Sequence, residues 1–573
     1  MTVHNAEIAE KFNHLANLLE IEGANPFRVR AYRNVARIIG GLTKNIADML
    51  AEGEDLTELP GVGKDLAEKI ATIVKTKNLP LLKQVEARIP AVLSELMKIE
   101  GLGPKRVQLL YKKLKITNAD DLKTAIEKGR LRKLRGFGEK TEQNILQGIL
   151  HRTQYAKRMK LADAFPIVNS LLNYLKHHKE IKQVECAGSF RRRKDTVGDL
   201  DFLATGKNSE KIIDYFLGFD EIGKVLSRGT TRSTVHLHSG IQVDLRVVPE
   251  KSYGAALVYF TGSKAHNIAI RRIGVQKKLK INEYGIYKRN KYVAGKTEAD
   301  VYKQINLPYI DPELREDRGE IEAAKNHALP NLITLSDIRG DLHCHTKATD
   351  GDSSLEAMAK AAEELGYEYI AITDHSSHLA MVHGLDKKAL IKQIKAIDRI
   401  NKKLKKLVVL KSIEVDILED GSLDLPDDIL KELDLTVCSI HSKFNLSPKK
   451  QTERTIRAMD NLYFTILAHP TGRLINQRPP YLVEMERIMM AAKERGCILE
   501  MNAQPERLDL NDIHSKMAKE KGVKLAISTD AHSRAQFAYM AYGVYQARRG
   551  WIEKPDVINT LPLSQLGKIL HRS

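Results

Sequence analysis

Cysteine is scarce in this 573-residue sequence: Cys186, Cys344, Cys438 and Cys497 stand far apart and form no C-x-x-C pair. Such spacing excludes a disulfide framework and a zinc ribbon, and the four read as reduced core thiols. Long apolar runs are also missing. No stretch approaches the roughly 18 residues of a membrane span, and no Gly/Ser-rich or Pro-rich tract marks extended disorder. The opening MTVHNAEIAEKFNHLANLLE sets acids inside an amphipathic helical pattern, without the basic segment and apolar core of a secretory signal. A cytoplasmic protein with no membrane partner is expected. Acids are the last shortage: 73 Asp and Glu face 92 Lys and Arg, a net charge of +19. A surplus of that size favours a polyanionic partner, nucleic acid ahead of any other, over a merely soluble basic protein. The length exceeds one ordinary core and suggests about three or four domains.

Three similar turns punctuate the first 150 residues: LPGVGKDLAEKI from Leu59, IEGLGPKRVQLL from Ile99 and LRGFGEKTEQNI from Leu134. Each is an apolar-x-Gly-apolar-Gly turn opening a helix. Its glycines (Gly61 and Gly63, Gly101 and Gly103, Gly136 and Gly138) permit positive φ and close approach, and the free N–H groups of the next helix can face a phosphate. Such a turn grips a backbone without reading bases. Lys64 and Lys105 add charge, while Glu139 weakens the third turn. The three resemble helix-hairpin-helix motifs.

From about residue 155 the pattern turns to mixed helix and strand. VECAGSFRRRKDTVGDLDFLATG reads as a strand end, a Gly188-Ser189 turn into a basic helix start, and a strand carrying Asp199 and Asp201. With period two, both carboxylates share one face and Leu200 and Phe202 the other. The later strand IQVDLRVV presents a third carboxylate, Asp244. Three converging anions call for a cation, and Mg²⁺ binds one or two protein carboxylates together with substrate phosphates. A lone D-x-D is more often structural; the Gly-Ser turn, the arginines and the third Asp make this one specific.

The arrangement resembles the nucleotidyltransferase palm of DNA polymerase beta and other family X DNA polymerases, over roughly the first 315 residues. The resemblance implies that Asp199 and Asp201 hold two Mg²⁺ or Mn²⁺ ions and that Asp244 binds the catalytic one. It implies that Gly188, Ser189 and Arg192 hold the triphosphate. YFTGS, with Tyr259, Phe260, Gly262 and Ser263, would lie beside the incoming sugar, Asn267 at the nucleotide and Arg271 at the template. Gln242 and Lys264 depart from the family pattern, which has an arginine and an acidic residue there. Lys69 falls at the Schiff-base lysine of the family's lyase activity, and Tyr32 matches too, although Asp65 and Arg28 stand where supporting lysines are found.

A second periodic region follows an acidic stretch with little core pattern. Seven apolar runs, near 339–345, 367–374, 406–417, 433–440, 464–469, 497–502 and 523–529, alternate mostly with helical patterns. That alternation implies a parallel sheet closing into a barrel with its site at the strands' C-terminal ends. Potential ligands fall there: His343 and His345 on one face opposite Leu342 and Cys344, then Asp350, His375, Glu414, His441, His469, Asp530 and His532. Coincidence explains one or two such placements, not nine. Mixed imidazole and carboxylate ligands suit two or three ions of Mn²⁺, Zn²⁺ or Fe²⁺. This half resembles a PHP (polymerase and histidinol phosphatase) domain, in that family a distorted (β/α)7 barrel with a trinuclear site. Arg473 and Arg507 are candidates for holding phosphate there.

The expected organisation is multidomain α+β and α/β. A helical helix-hairpin-helix domain occupies 1–80 and a fingers-like helical domain 81–152; the palm covers 153–250, a thumb-like nucleotide-binding subdomain 251–315, a linker 316–337 and the PHP domain 338–573. The combination resembles bacterial and archaeal family X polymerases that carry a PHP domain. It implies gap filling in DNA repair and a 3′→5′ exonuclease or 3′-end-processing activity, with AP endonuclease action as a further one. The expected substrates are gapped or nicked DNA with a 5′-phosphate and deoxynucleoside triphosphates, and the expected state is a monomer. Two other readings remain open: a non-catalytic DNA-binding scaffold, and a DNA-binding polymerase fused to a small-molecule phosphatase.

Overall fold

The chain folds as two units, residues 1–157 and 158–573. The computed structural model describes residues 5–42, 44–59, 61–90, 93–97, 102–134, 137–138, 141–142, 145, 158–379 and 382–570. The first unit is helical around one core. Its helices α1 (Asn5–Glu22) and α2 (Pro26–Gly40) bury Phe12, Leu15, Val35 and Ile39 against Ile70 and Ile73 of α3 (Lys64–Thr76) and Val107 and Leu110 of α4 (Pro104–Leu114). Full burial of such side chains contributes about 1.5–3 kcal/mol each. Both α3 and α4 begin after a glycine, Gly63 and Gly103, with no side-chain cap; α4 opens on Pro104, which has no N–H to cap, and α3 presents the N–H of Lys64.

In the second unit a five-stranded sheet runs in the order β1-β2-β5-β4-β3, where β1 is Ile181–Cys186, β2 Asp199–Gly206, β3 Ile222–Arg228, β4 Arg232–Leu237 and β5 Gln242–Val248. The central pair β2 and β5 is parallel; its neighbours are antiparallel. Leu200, Phe202 and Ala204 share a core with Val243, Leu245 and Val247 on one face, and on the other Leu203 lies under the helix α5 (Tyr253–Thr261). Helix α6 (Lys264–Gln276) and a small antiparallel sheet complete the thumb-like part.

The remainder is a parallel barrel. Its strands are β6 (Gly340–Cys344), β7 (Tyr369–Ile372), β8 (Val408–Lys411), β9 (Glu414–Asp416), β10 (Val437–Ser439), β11 (Ile466–Leu467), β12 (Ile498–Asn502) and β13 (Leu525–Ser528). They hydrogen-bond as a three-stranded sheet, β6-β7-β8, and a five-stranded one, β9-β10-β11-β12-β13. Parallel bridges His375–Glu414 and Cys344–Ala531 join the two sheets at both edges. The apolar run 406–417 is therefore one bent stave made of β8 and β9, and seven staves close the barrel. Tyr369, Leu410, Val437, Ile466, Ile498 and Ala526 fill its interior.

Two expectations need correction. Leu342 and Cys344 do not share a face: Leu342 joins the interior, whereas Cys344 packs beneath outer helices with Met358 and Ile372. The cause is a register shift between Asp341 and Cys344. Nor is the stretch 316–337 loose chain. Glu320 is fully buried with His266 Nδ1 at 2.7 Å, and Glu316 joins Arg192 and Arg549. The pattern of that stretch does not show these pairings because the partners of Glu316 and Glu320 lie 54 to 233 positions away in sequence.

Candidate metal centres

The first centre follows from strand register. Asp201 and Asp244 are direct Cα partners on the parallel strands β2 and β5, and Asp199 precedes Asp201 on the same face. Burial, reinforced by Asp199 and then Asp244, pushes the Asp201 carboxyl up to about 6. Burial works against Asp244 as well, but hydrogen bonds from Thr234 (2.6 Å), Arg232 (2.7 Å) and Gln242 (2.8 Å) outweigh it and hold Asp244 below the usual range. Gln242, a departure from the family pattern, thus orients a carboxylate. Three acids on one face of adjacent strands, one of them pushed towards its protonated form by burial and by the other two, fit a site for divalent cations.

Gly188 stands against this face with φ +61°. A Cβ there would lie 2.6 Å from Asp201 Oδ2, so conformation and space both require glycine. The neighbouring Ser189 Oγ is buried and has no hydrogen-bond partner among the described residues. Arg192 is already engaged, its Nε 3.0 Å from Glu316 and its Nη1 bonded to the Thr261 carbonyl. Tyr259 and Phe260 meet edge-on, Gly262 has φ +71°, and Ser263 caps α6, accepting from the His266 N–H. Asn267 donates to the Tyr259 carbonyl at 2.7 Å, and Arg271 is exposed on α6.

In the helical unit Gly61 has φ +77°, and a Cβ there would meet Asn34 Nδ2 at 2.6 Å. Among the described residues, added carbons at Gly63, Gly103 and Gly138 meet nothing within 4 Å. These are open approaches to backbone N–H groups, with Lys64 and Lys105 exposed beside them. Gly101 and Gly136 lie outside the described residues, as does Glu139. The Lys69 amine pairs with Asp65 one turn earlier.

The second centre gathers all nine expected ligands at the barrel's C-terminal end. His345, Asp350, His375 and His532 form one group, His343, His345 and Asp530 another, and His375, Glu414 and His441 a third, with candidate atoms within 4.8 Å in each. His469 joins through Nε2, 3.1 Å from Glu414. Buried ring nitrogens of His343, His345, His375 and His469 have no hydrogen-bond partner among the described residues. Imidazoles so placed amid carboxylates fit metal ligands, since buried polar atoms otherwise find partners. Burial opposes protonation of His441 and His532, yet Glu414 beside the first and Asp350 beside the second push both up to about 9. His469, buried and near Arg507, falls to about 4.

Other residues orient these ligands. Glu500 accepts from His343 Nδ1 at 2.7 Å, which leaves Nε2 as the free ligand atom, and from the His469 N–H at 2.6 Å. Asp416 Oδ1 lies 3.1 Å from His441 Nδ1, and Asn502 donates to both Glu500 and Asp530. None of the three was singled out from sequence. The signal available was period two, which places Glu500 and Asn502 on the face of Ile498 and Asp416 on that of Glu414. Arg507 Nε lies 3.5 Å from Asp530. Arg473 faces elsewhere: its guanidinium binds the carbonyls of Arg507 and Leu508 and, at 3.2 Å, Asp195.

Comparison with known proteins matches the helical, thumb and barrel regions. Family models match for a helix-hairpin-helix domain (residues 3–79), a SAM-like helix-hairpin-helix tandem (93–149), a DNA polymerase beta thumb (256–316) and a PHP domain (341–504). The chain is 35% identical over 575 residues, 100% of both chains, to a Bacillus subtilis (strain 168) protein named DNA polymerase/3′-5′ exonuclease PolX. It is 28% identical over 346 residues, 55% of this chain and 57% of the relative, to DNA polymerase lambda of Rattus norvegicus. Over 246 residues, 40% of this chain and 91% of the relative, it is 31% identical to a Thermoanaerobacter sp. (strain X514) protein named Probable phosphatase. Full-length similarity, together with the thumb and barrel matches, establishes that the chain belongs to the PolX family, the family X DNA polymerases that carry a PHP domain.

Proposed function

We propose that this chain is a DNA-templated DNA polymerase that fills short gaps bearing a 5′-phosphate, and that its barrel trims or unblocks the 3′ end as a 3′→5′ exonuclease. The observation that carries the polymerase reading is the direct pairing of Asp201 with Asp244 beside Asp199, with Gly188 packed against Asp201. Asp199, Asp201 and Asp244 would hold Mg²⁺ or Mn²⁺, and the nine barrel residues Mn²⁺, Zn²⁺ or Fe²⁺. When bound, such ions make a primer hydroxyl or a water a better nucleophile and neutralise charge on phosphate oxygens.

The chain's own residues do the remaining work. Gly188 and Ser189 offer donors to the triphosphate, and Thr234, Arg232 and Gln242 fix the carboxylate nearest the primer. Asn267 and Arg271 present donors along α6, where nucleotide and template are expected. In the barrel, Glu500 and Asp416 hold imidazoles in the ligating orientation, and Arg507 offers a cation to a scissile phosphate. Open helix starts in the first unit supply backbone grip independent of sequence. A lyase step would rest on Lys69, whose amine must leave Asp65 to attack a sugar aldehyde. Action at abasic sites would use the barrel centre.

Gapped DNA with a 5′-phosphate, incubated with Mg²⁺ or Mn²⁺ while both growth and shortening of the primer are followed, tests the reading. Primer extension with the nucleotides complementary to the gap template, and trimming in the absence of nucleotides, are expected. A relative named Probable phosphatase matches 40% of this chain over 91% of its own length, which favours small-molecule phosphatase action as the second reading. Faster hydrolysis of a free phosphomonoester than of a DNA 3′ end would select it.

A further inference from the structure

Every residue from Arg191 to Asp195, the turn that follows Ser189, is held by another part of the second unit. Arg191 makes paired bonds to Glu298 at 2.8 and 2.7 Å. Arg192 binds Glu316 with its side chain, while its carbonyl accepts from Arg549 Nη1 at 2.7 Å. Arg193, at φ +55°, sets its guanidinium over three rings: Phe165 (5.0 Å), Phe190 (5.3 Å) and Tyr545 (4.5 Å). Lys194 Nζ is 3.9 Å from Glu316, and Asp195 accepts from Arg473 at 3.2 Å. Three of these partners, Arg473, Tyr545 and Arg549, belong to the barrel half.

Arg549 has little freedom to do anything else. It is 2% exposed and is fixed by Asp512 and by Glu316 at 3.2 Å; Asp512 also takes Arg318 at 2.7 Å. Glu316 accepts from Arg192 and Arg549 together, so the barrel reaches the arginine side chain as well as its carbonyl. The turn itself is weak. Its helix spans only Gly188–Arg191, and so short a helix does not persist without outside contacts. Its shape therefore depends on whatever grips its far end, and a misplacement of about 1 Å in a reacting group can cost on the order of a hundredfold in rate.

We infer that Arg549, Tyr545 and Arg473 of the barrel are positioning residues for nucleotidyl transfer, holding the Ser189–Arg192 turn in the shape that receives the triphosphate. The inference rests on the polymerase reading above. It gives the barrel a part in synthesis although it carries none of the synthetic carboxylates. It also explains why Arg473 faces Asp195 and not the barrel's own metal centre.

The test uses the full chain on gapped DNA with Mg²⁺, comparing wild type with Arg549→Met and Tyr545→Leu. Expected is a rise of about tenfold in the KM for the nucleotide, equivalent to ~1.4 kcal/mol, with a smaller change in kcat. Affinity for gapped DNA and Mn²⁺-dependent trimming should match wild type, and Arg549→Lys, which keeps a donor, should recover part of the loss. Trimming at the wild-type rate with a nucleotide KM within about twofold of wild type would overturn the inference. If Arg549→Met does not fold, Tyr545→Leu decides alone, because it leaves every ion pair in place. A wild-type chain that extends nothing rejects the polymerase reading itself; normal extension with unaltered variants rejects only the positioning role.

Discussion

Glu500→Gln should weaken metal binding in the barrel while leaving synthesis untouched. The Glu500 carboxylate serves two ligand residues at once, accepting from His343 Nδ1 at 2.7 Å and from the His469 N–H at 2.6 Å, with Asn502 at 3.1 Å. Glutamine keeps the shape but turns one oxygen into a donor. If its NH₂ faces His343, the ring must accept at Nδ1 and carry its proton on Nε2, the atom a cation needs. If the NH₂ faces the other way, it meets the His469 N–H and the Asn502 amide as donor against donor. Loss of such an orienting partner lowers metal affinity by about 10–100-fold, or ~1.4–2.7 kcal/mol. In a Mn²⁺ titration of 3′-end trimming, the half-saturating concentration should rise by that factor while the rate at saturation largely recovers. Extension in Mg²⁺ should not change. A Mn²⁺ midpoint unmoved from wild type would refute the reasoning.

Three further outcomes follow from the geometry. Gly188→Ala puts a Cβ 2.6 Å from Asp201 Oδ2 and asks alanine to adopt φ +61°, so nucleotide addition should fall at least about tenfold while trimming persists, as single-turnover incorporation would reveal. Glu316 is largely buried; burial alone would raise its carboxyl, but Arg549, Lys194 and Arg192 hold it down at about 2, below its ordinary value of 4.5. A depressed carboxylate stabilises above its unfolded pKa and loses that contribution as pH falls through the folded one. Acid unfolding should thus show wild type ahead of Glu316→Gln by about 3 kcal/mol above pH 4.5, with the gap closing towards pH 2. A gap independent of pH would contradict the assignment. Lys69→Ala should abolish borohydride trapping on an incised abasic site, and unchanged trapping would end the lyase proposal.

Much of both centres was legible in the sequence because each is built on strands, where period two fixes which side chains share a face. That period places Asp199 and Asp201 on one face, and the nine candidate ligands of the barrel stand out by recurring at the ends of successive apolar runs. Composition and the G-h-G turns likewise pointed to the helical unit. Residues that act through others were harder to see. Glu500 reads as one acid within a strand, and only its 2.7 Å contact with a histidine 157 positions away reveals its role. Arg473 faces Asp195 across 278 positions, and Arg549 reaches Arg192 across 357. No local pattern encodes such pairs. The bend that splits 406–417 into β8 and β9, and the register shift that separates Leu342 from Cys344, are tertiary adjustments of barrel closure that alternation alone does not carry.

Two centres on one chain, each with its own acids, make the most direct measurement a paired one. Asp244→Ala and His343→Ala are assayed side by side on the same gapped DNA for primer growth with Mg²⁺ and nucleotides, and for primer shortening with Mn²⁺ alone. The expected result is reciprocal: Asp244→Ala loses growth and keeps shortening, and His343→Ala keeps growth and loses shortening. Loss of both activities in each folded variant would contradict separate centres.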